Sequence, residues 1–194
     1  LGVECGVIGT LGYGKIGELS STGMTTPDPI SMQAVFSELY SQGCSHVALE
    51  ASSHALAQGR LNSVAIDVAI LTNLSRDHLD YHNTMDEYAL AKKQLFVFEG
   101  LSSIILNSAD EFGHSLSEEL SEKKSLHVMT YNAQTSELST FIATDIKSYI
   151  SGMSFIVSFQ QVSTQVKTSL IGRFNVDNLV AALAGLVAVD VSFD

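Results

Sequence analysis

Apolar residues take up helical spacing directly after the two prolines of the chain. Pro27-Asp28-Pro29 breaks the backbone, and Ile30, Met32, Val35, Phe36, Leu39 and Tyr40 then follow until Gly43. That pattern predicts a helix with one core-facing stripe, ended by a glycine that tolerates a left-handed backbone. Two short apolar runs come next, His46-Val47-Ala48-Leu49 and Ala65-Ile66-Asp67-Val68-Ala69-Ile70-Leu71, each followed at once by polar residues. Runs of that length are expected of strands covered on both faces. Met85, Tyr88, Ala91, Leu95 and Phe98 return to helical spacing, and residues 103–107 form another such strand. Strands alternating with helices imply a mostly parallel sheet flanked by helices, an α/β fold.

From residue 127 the character changes. Residues 127–131, 141–146, 153–159 and 165–170 all read as strands, which predicts a small antiparallel β annex to the main sheet. The last helix, residues 176–189, is almost wholly apolar after Asn178, so it is expected to pack deep or against a further domain.

Composition narrows the function classes. With 194 residues and 45% apolar content the chain can bury a sizeable core; the length suits one domain and allows two. A formal net charge of −11 is the wrong sign for tracking a phosphate backbone, so nucleic acid is not an expected partner. The apolar runs are far shorter than the roughly 20 residues that span a bilayer, and no basic-then-apolar leader opens the chain. No membrane association is expected, and a cytoplasmic protein fits. Cys5 and Cys44 are too few for a disulfide framework and lack zinc spacing, so both are read as reduced, buried thiols.

One motif is deceptive. Gly9-Thr10-Leu11-Gly12-Tyr13-Gly14-Lys15 fits the skeleton of a phosphate-binding loop, but Ile16 replaces the hydroxyl residue that such a loop uses toward Mg²⁺. Glycines, serines and Pro27 follow where a helix should begin, so the segment reads as a Gly-rich turn at a strand end.

Chemistry concentrates just after the predicted strands, the edge where open α/β sheets hold ligands. Glu50-Ala51-Ser52-Ser53-His54 follows the first run, Asn73 to His82 the second, and Asn107-Ser108-Ala109-Asp110 the third. Ser52 with His54 fits a nucleophile pair only without the flanking glycines of a nucleophile elbow, and the histidines and aspartates of residues 77–82 match no zinc signature. Lys92 lies four residues after Tyr88 and just before Leu95 and Phe96, on the apolar face of its helix. Desolvation favours a neutral amine, which can take up carbon dioxide as a carbamate and so become an oxygen ligand for Mg²⁺. The alternative is a stem lying on apolar surface with its ammonium in water, as expected for Lys93. His54 and His82 fit either the cleft or a supporting shell, and His46, His114 and His127 have no motif around them.

Taken together, Thr25-Thr26-Pro27, Glu50-Ala51-Ser52-Ser53-His54-Ala55-Leu56, Thr72-Asn73-Leu74-Ser75-Arg76-Asp77-His78-Leu79-Asp80-Tyr81-His82, Ala91-Lys92-Lys93-Gln94-Leu95-Phe96 and Gly172-Arg173-Phe174-Asn175-Val176-Asp177-Asn178 resemble the central domain of the Mur ligases, in order and spacing. The match spans nearly the whole chain, and residues 72–82 resemble the tripeptide-forming branch in particular.

The resemblance implies a P-loop NTPase-like central domain of an ATP-dependent amide ligase in peptidoglycan precursor synthesis. Such an enzyme activates the γ-carboxylate of D-glutamate in UDP-N-acetylmuramoyl-L-alanyl-D-glutamate as an acyl phosphate. A diamino acid, meso-diaminopimelate or L-lysine, then displaces phosphate. By similarity Glu50, His78 and a carbamate on Lys92 are Mg²⁺ ligands, and Thr25, Thr26, Ser52 and Arg60 hold the nucleotide-sugar peptide. Asn175 and Asn178 match the pair beside the ATP base. Each position has a plainer role open to it: a turn before Pro27 for Thr25 and Thr26, a helix cap for Ser52 and for the asparagines. In the family a true phosphate-binding loop and a nucleotide-sugar domain come earlier in the chain, and a C-terminal domain takes the amino acid. Residues 1–194 are therefore expected to be inactive alone, and the choice of diamino acid is not legible in them. Rival readings are another Mur ligase, a folylpolyglutamate synthetase relative, or a non-catalytic binding module of the same fold.

Overall fold

The computed structural model describes residues 3–123, 126–134 and 139–193. The chain forms two compact units, one of Leu1–Ala65 with Asp77–Phe98 and one of Ile66–Arg76 with Glu99–Asp194.

The first unit starts with strands β1 (Cys5–Gly9), β2 (Gly12–Lys15) and β3 (Glu18–Ser20). The glycine-rich segment is a tight hairpin: Gly9 pairs with Gly12 across the antiparallel β1/β2 ladder, and no helix follows. A Cβ on Gly12 or Gly14 would lie 2.3 Å or 2.5 Å from the carbonyl oxygens of Ser20 or Glu18, so the close approach of β3 requires glycine. Helix α1 (Pro29–Ser41) begins at Asp28, whose Oδ1 accepts from the Ile30 and Ser31 N–H groups. It ends as predicted at Gly43, φ 84°, where Gly43 N donates to Tyr40 O and Cys44 N to Leu39 O. Its stripe packs Met32, Val35 and Leu39 on Ile8 and Leu61, whereas Ile30 and Tyr40, placed on the same stripe by spacing, sit at its two ends and are exposed.

Strand β4 (His46–Leu49) pairs parallel with β1 and is the last strand of the sheet order β3-β2-β1-β4. The expected burial on both faces is not found: Val47 is 36% exposed, and β4 ends this sheet. Cys5, expected to be buried, opens β1 on its solvent side and is exposed; Cys44 is buried as expected. Helices α2 (Ser53–Ala57), α3 (Leu79–His82) and α4 (Met85–Lys93) complete the unit, α4 running on into a 3-10 turn, Gln94–Val97. Thr84 caps α4, its Oγ1 accepting from Glu87 N.

The second unit is a six-stranded sheet of order β10-β9-β8-β7-β6-β5, with β5 (Val68–Leu71), β6 (Ser103–Asn107), β7 (His127–Asn132), β8 (Phe141–Tyr149), β9 (Gly152–Phe159) and β10 (Val162–Thr168). The β5 to β8 pairings are parallel and the β8 to β10 pairings antiparallel, so the predicted annex does extend the main sheet, but it begins at β8: β7, read as part of it, pairs parallel on both sides. Strand β6 is buried at all five positions, as its unbroken apolar run requires. Helix α5 (Glu111–Ser121), capped by Asp110, packs Leu116 and Leu120 inward. Helix α6 (Phe174–Ala188) lays Val176, Val180, Ala181 and Ala184 against Ile105, Tyr131, Phe141 and Phe155. Its spacing of four and three buries one stripe and leaves Leu186 and Val189 partly exposed. Among the described residues no helix is long and apolar enough to cross a membrane.

Candidate functional site

The loop ends of the first unit gather most of the sequence-predicted residues. Glu50 directly follows β4 and its backbone N–H donates to Ile8 O at 2.8 Å, continuing the parallel ladder. Its carboxylate turns back to β1: Oε2 accepts from Thr10 N at 3.0 Å and from Thr10 Oγ1 at 2.7 Å. A Cβ at Gly9 would lie 2.6 Å from Glu50 Cδ, so glycine there leaves the notch the carboxylate occupies. The deceptive Gly-rich segment thus shapes the site through Gly9 and Thr10, and only the fold could reveal it.

Thr25, Thr26 and Ser52 join the same chain of hydrogen bonds. Thr25 Oγ1 is 3.1 Å from Thr10 Oγ1. Thr26 is buried; its hydroxyl donates to Glu50 O at 2.6 Å and accepts from Ser52 N at 3.0 Å. Ser52 caps α2, its Oγ accepting from Ala55 N at 3.2 Å. The Thr26 hydroxyl is therefore committed to tying two loops together, while Thr25 stays half-buried at the rim. Arg60 reaches the same loop: Nε and Nη2 donate to Gln58 Oε1 at 2.8 and 2.6 Å, and Nη1 donates to Thr26 O at 2.8 Å. Gln58, which no motif singled out, in turn donates to Tyr81 OH at 3.1 Å.

His78 and Lys92 meet on an aromatic ring. Tyr88 is buried; the His78 ring stands edge-on to it at 5.7 Å, the His82 ring stacks on it at 5.3 Å, and Lys92 Nζ lies 5.4 Å from its centre. Lys92 is half-buried, and its ammonium faces the ring in a cation–π contact that a carbamate would give up. Burial, then the Asp77 carboxylate, push the Tyr88 phenol above its usual range. Burial, followed by the neighbouring His54 and His78 rings, pushes the His82 imidazole below its usual range. His54 is half-buried with its ring 5.1 Å from that of His78.

The asparagine pair belongs to the second unit. Asn175 lies in the first turn of α6 with its Nδ2 donating to Ile171 O at 2.8 Å, and Asn178 is exposed one turn on. Neither caps the helix, which starts at Phe174 after Arg173. Between them Asp177 Oδ1 is buried without a hydrogen-bond partner, and burial raises that carboxyl above its usual range against the opposing pull of Arg173.

Among the described residues no three His, Cys, Asp or Glu side chains gather at metal-holding geometry. Mg²⁺ commonly binds one or two carboxylates and fills its octahedron with waters and substrate phosphates, so it needs no protein cage. Glu50 in its Gly9 notch offers a carboxylate held by Thr10, while His78 and Lys92 lie together against Tyr88.

Residues 1–186 match the Mur ligase middle domain. The UDP-N-acetylmuramoyl-L-alanyl-D-glutamate--2,6-diaminopimelate ligase of Pseudomonas putida is 40% identical over 199 residues, which cover 100% of this chain and 40% of that protein. A solved structure of a ligase of the same name superposes with a TM-score of 0.89 at 34% identity, covering 98% of this chain and 38% of that one. MurF from Acinetobacter baumannii shares the fold at a TM-score of 0.64 and 22% identity, over 78% of this chain and 33% of its own. The chain thus spans about 40% of the length of the curated relatives it matches. Its blocks, its fold and these likenesses agree, and the chain belongs to the Mur ligase family, of which it forms the middle domain.

Proposed function

We propose that this chain is the central domain of an ATP-dependent ligase that joins meso-diaminopimelate to UDP-N-acetylmuramoyl-L-alanyl-D-glutamate in peptidoglycan precursor synthesis, in the cytoplasm. The observation that carries the reading is the network Thr10–Glu50–Thr26–Ser52 at the ends of β1 and β4, in which Glu50, Thr26 and Ser52 belong to the family blocks. The relatives' name favours diaminopimelate over L-lysine as the incoming amino acid.

In this reaction the γ-carboxylate of D-glutamate attacks the γ-phosphorus of ATP, and ADP leaves. The amine of diaminopimelate then attacks the acyl phosphate carbon; phosphate departs and the amine loses a proton. Bound Mg²⁺ would offset the negative charge that gathers on the phosphates. Glu50 would hold it through the carboxylate that Thr10 orients, with His78 and the Lys92 carbamate completing the protein's share. The carbamate forms when the neutral Lys92 amine adds to carbon dioxide and releases a proton. Thr25, Ser52 and Arg60 would meet the nucleotide-sugar peptide, with Thr26 fixing their loop from beneath. Asn175 and Asn178 would face the adenine of ATP. The phosphate-binding loop, the nucleotide-sugar domain and the amino-acid-binding domain are parts this reading assigns to the full-length protein.

Hydroxylamine trapping tests it. The full-length protein with the nucleotide dipeptide, ATP and Mg²⁺ should yield a γ-glutamyl hydroxamate and ADP without any amino acid. ADP release with no hydroxamate would contradict an acyl phosphate.

A further inference from the structure

Helix α3 is a single turn held between two backbone strains. His78 before it has φ 55° and Asn83 after it has φ 58°, both left-handed and neither glycine. Such residues are strained and persist where the surroundings over-determine them. Tyr81 is exposed and tied through its hydroxyl to Gln58, whereas His82 is the one buried residue of α3. His82 Nε2 and Ser53 Oγ share a buried hydrogen bond of 2.9 Å, and the imidazole stacks on Tyr88 at an interplanar angle of 25°. The backbone closes on the same point: His82 N donates to His78 O at 3.0 Å, and Thr84 N to His82 O at 2.7 Å.

We infer that His82 is a positioning residue: anchored on Ser53 of α2 and on Tyr88 of α4, it pins the strained turn that presents the His78 imidazole. His82 touches no reacting atom. It ties the loop after Glu50, through Ser53, to the helix that carries Lys92, through Tyr88, so three proposed ligand-bearing segments share one buried pin. A packing residue alone would need shape, whereas this one also needs a polar atom at the Nε2 position, since Ser53 is buried too. The consequence for Mg²⁺ rests on the ligand role proposed for His78; the pinning of the turn does not.

Hydrogen exchange of the full-length protein, read by mass spectrometry, separates the two. In His82→Ala the amides of residues 81 and 82 should exchange at least about tenfold faster while β6 is unchanged, and half-saturating Mg²⁺ for ADP release should rise about tenfold, the usual scale for outer-shell supports. His82→Gln, whose amide nitrogen reaches Ser53, should restore much of both. Ser53→Ala should move both in the same direction by less, and it decides the matter if His82→Ala does not fold. Unchanged exchange at residues 81 and 82, or a uniform rise that includes β6, would overturn the inference; a loosened turn with unaltered Mg²⁺ dependence would uphold the pin and overturn the ligand role of His78. A wild-type protein that releases no ADP would overturn the ligase reading instead, leaving the exchange result to judge the pin.

Discussion

Thr26 and Glu50 are joined by a hydroxyl-to-carbonyl hydrogen bond of 2.6 Å that crosses from the segment before α1 to the end of β4. Thr26→Val keeps the shape but strands Glu50 O and Ser52 N without this partner. A loss of about 1–3 kcal/mol is expected from burying unsatisfied groups. Denaturant unfolding of the full-length protein measures it; an unchanged midpoint would mean that water replaces the hydroxyl at no cost.

Gly9 makes room for the Glu50 carboxylate, and Gly9→Ala would place a methyl 2.6 Å from Glu50 Cδ. The carboxylate must then leave its bond with Thr10. Half-saturating Mg²⁺ should rise about tenfold or more. Metal titration of the variant checks this against Leu11→Ala, a change at an exposed turn position that should leave the titration alone.

Arg60 offers a fork to Gln58 and Thr26 O that a lysine cannot reproduce. Arg60→Lys should raise KM for the nucleotide dipeptide about tenfold with a smaller fall in kcat, since the task proposed for it is binding. Initial rates at saturating ATP separate the two effects.

Asp177 sets a pH dependence of stability. Its carboxyl pKa is raised in the folded state above the ordinary 3.8, so the folded form binds its proton more readily than the unfolded chain does. The resulting penalty is fully present above the folded pKa and fades as pH falls toward 3.8. Asp177→Asn should melt higher than wild type near neutral pH, and the difference should shrink in acid. Equal melting temperatures at neutral pH would show that Arg173 already offsets the buried charge.

How much of this was legible in the residues depends on the kind of signal. The α1 stripe, its Gly43 stop and the unbroken apolar run of β6 are local patterns with one physical meaning, and they fold as read. His46-Val47-Ala48-Leu49 is as apolar as a central strand but ends a sheet, because a sequence records a strand's composition and not its neighbours. The reading of Cys5 as buried failed for the same reason: the face of a strand end depends on what packs against it. Glu50, Thr26, Ser52 and Arg60 were visible as motif residues, and the structure brings them together. Thr10 and Ser53 stood inside motif segments without a role of their own and Gln58 stood in none, since their roles arise from contacts 40, 29 and 23 residues apart. Tyr88 carried a faint signal in its helical spacing to Lys92; the stacking of His82 on it carried none.

The most direct test incubates the full-length protein with UDP-N-acetylmuramoyl-L-alanyl-D-glutamate, ATP, Mg²⁺ and bicarbonate, adding meso-diaminopimelate to one portion and L-lysine to another, and weighs the products by mass spectrometry. The nucleotide tripeptide is expected with diaminopimelate, and little or none with lysine. Folded protein that forms no tripeptide with either amino acid would contradict the proposed function.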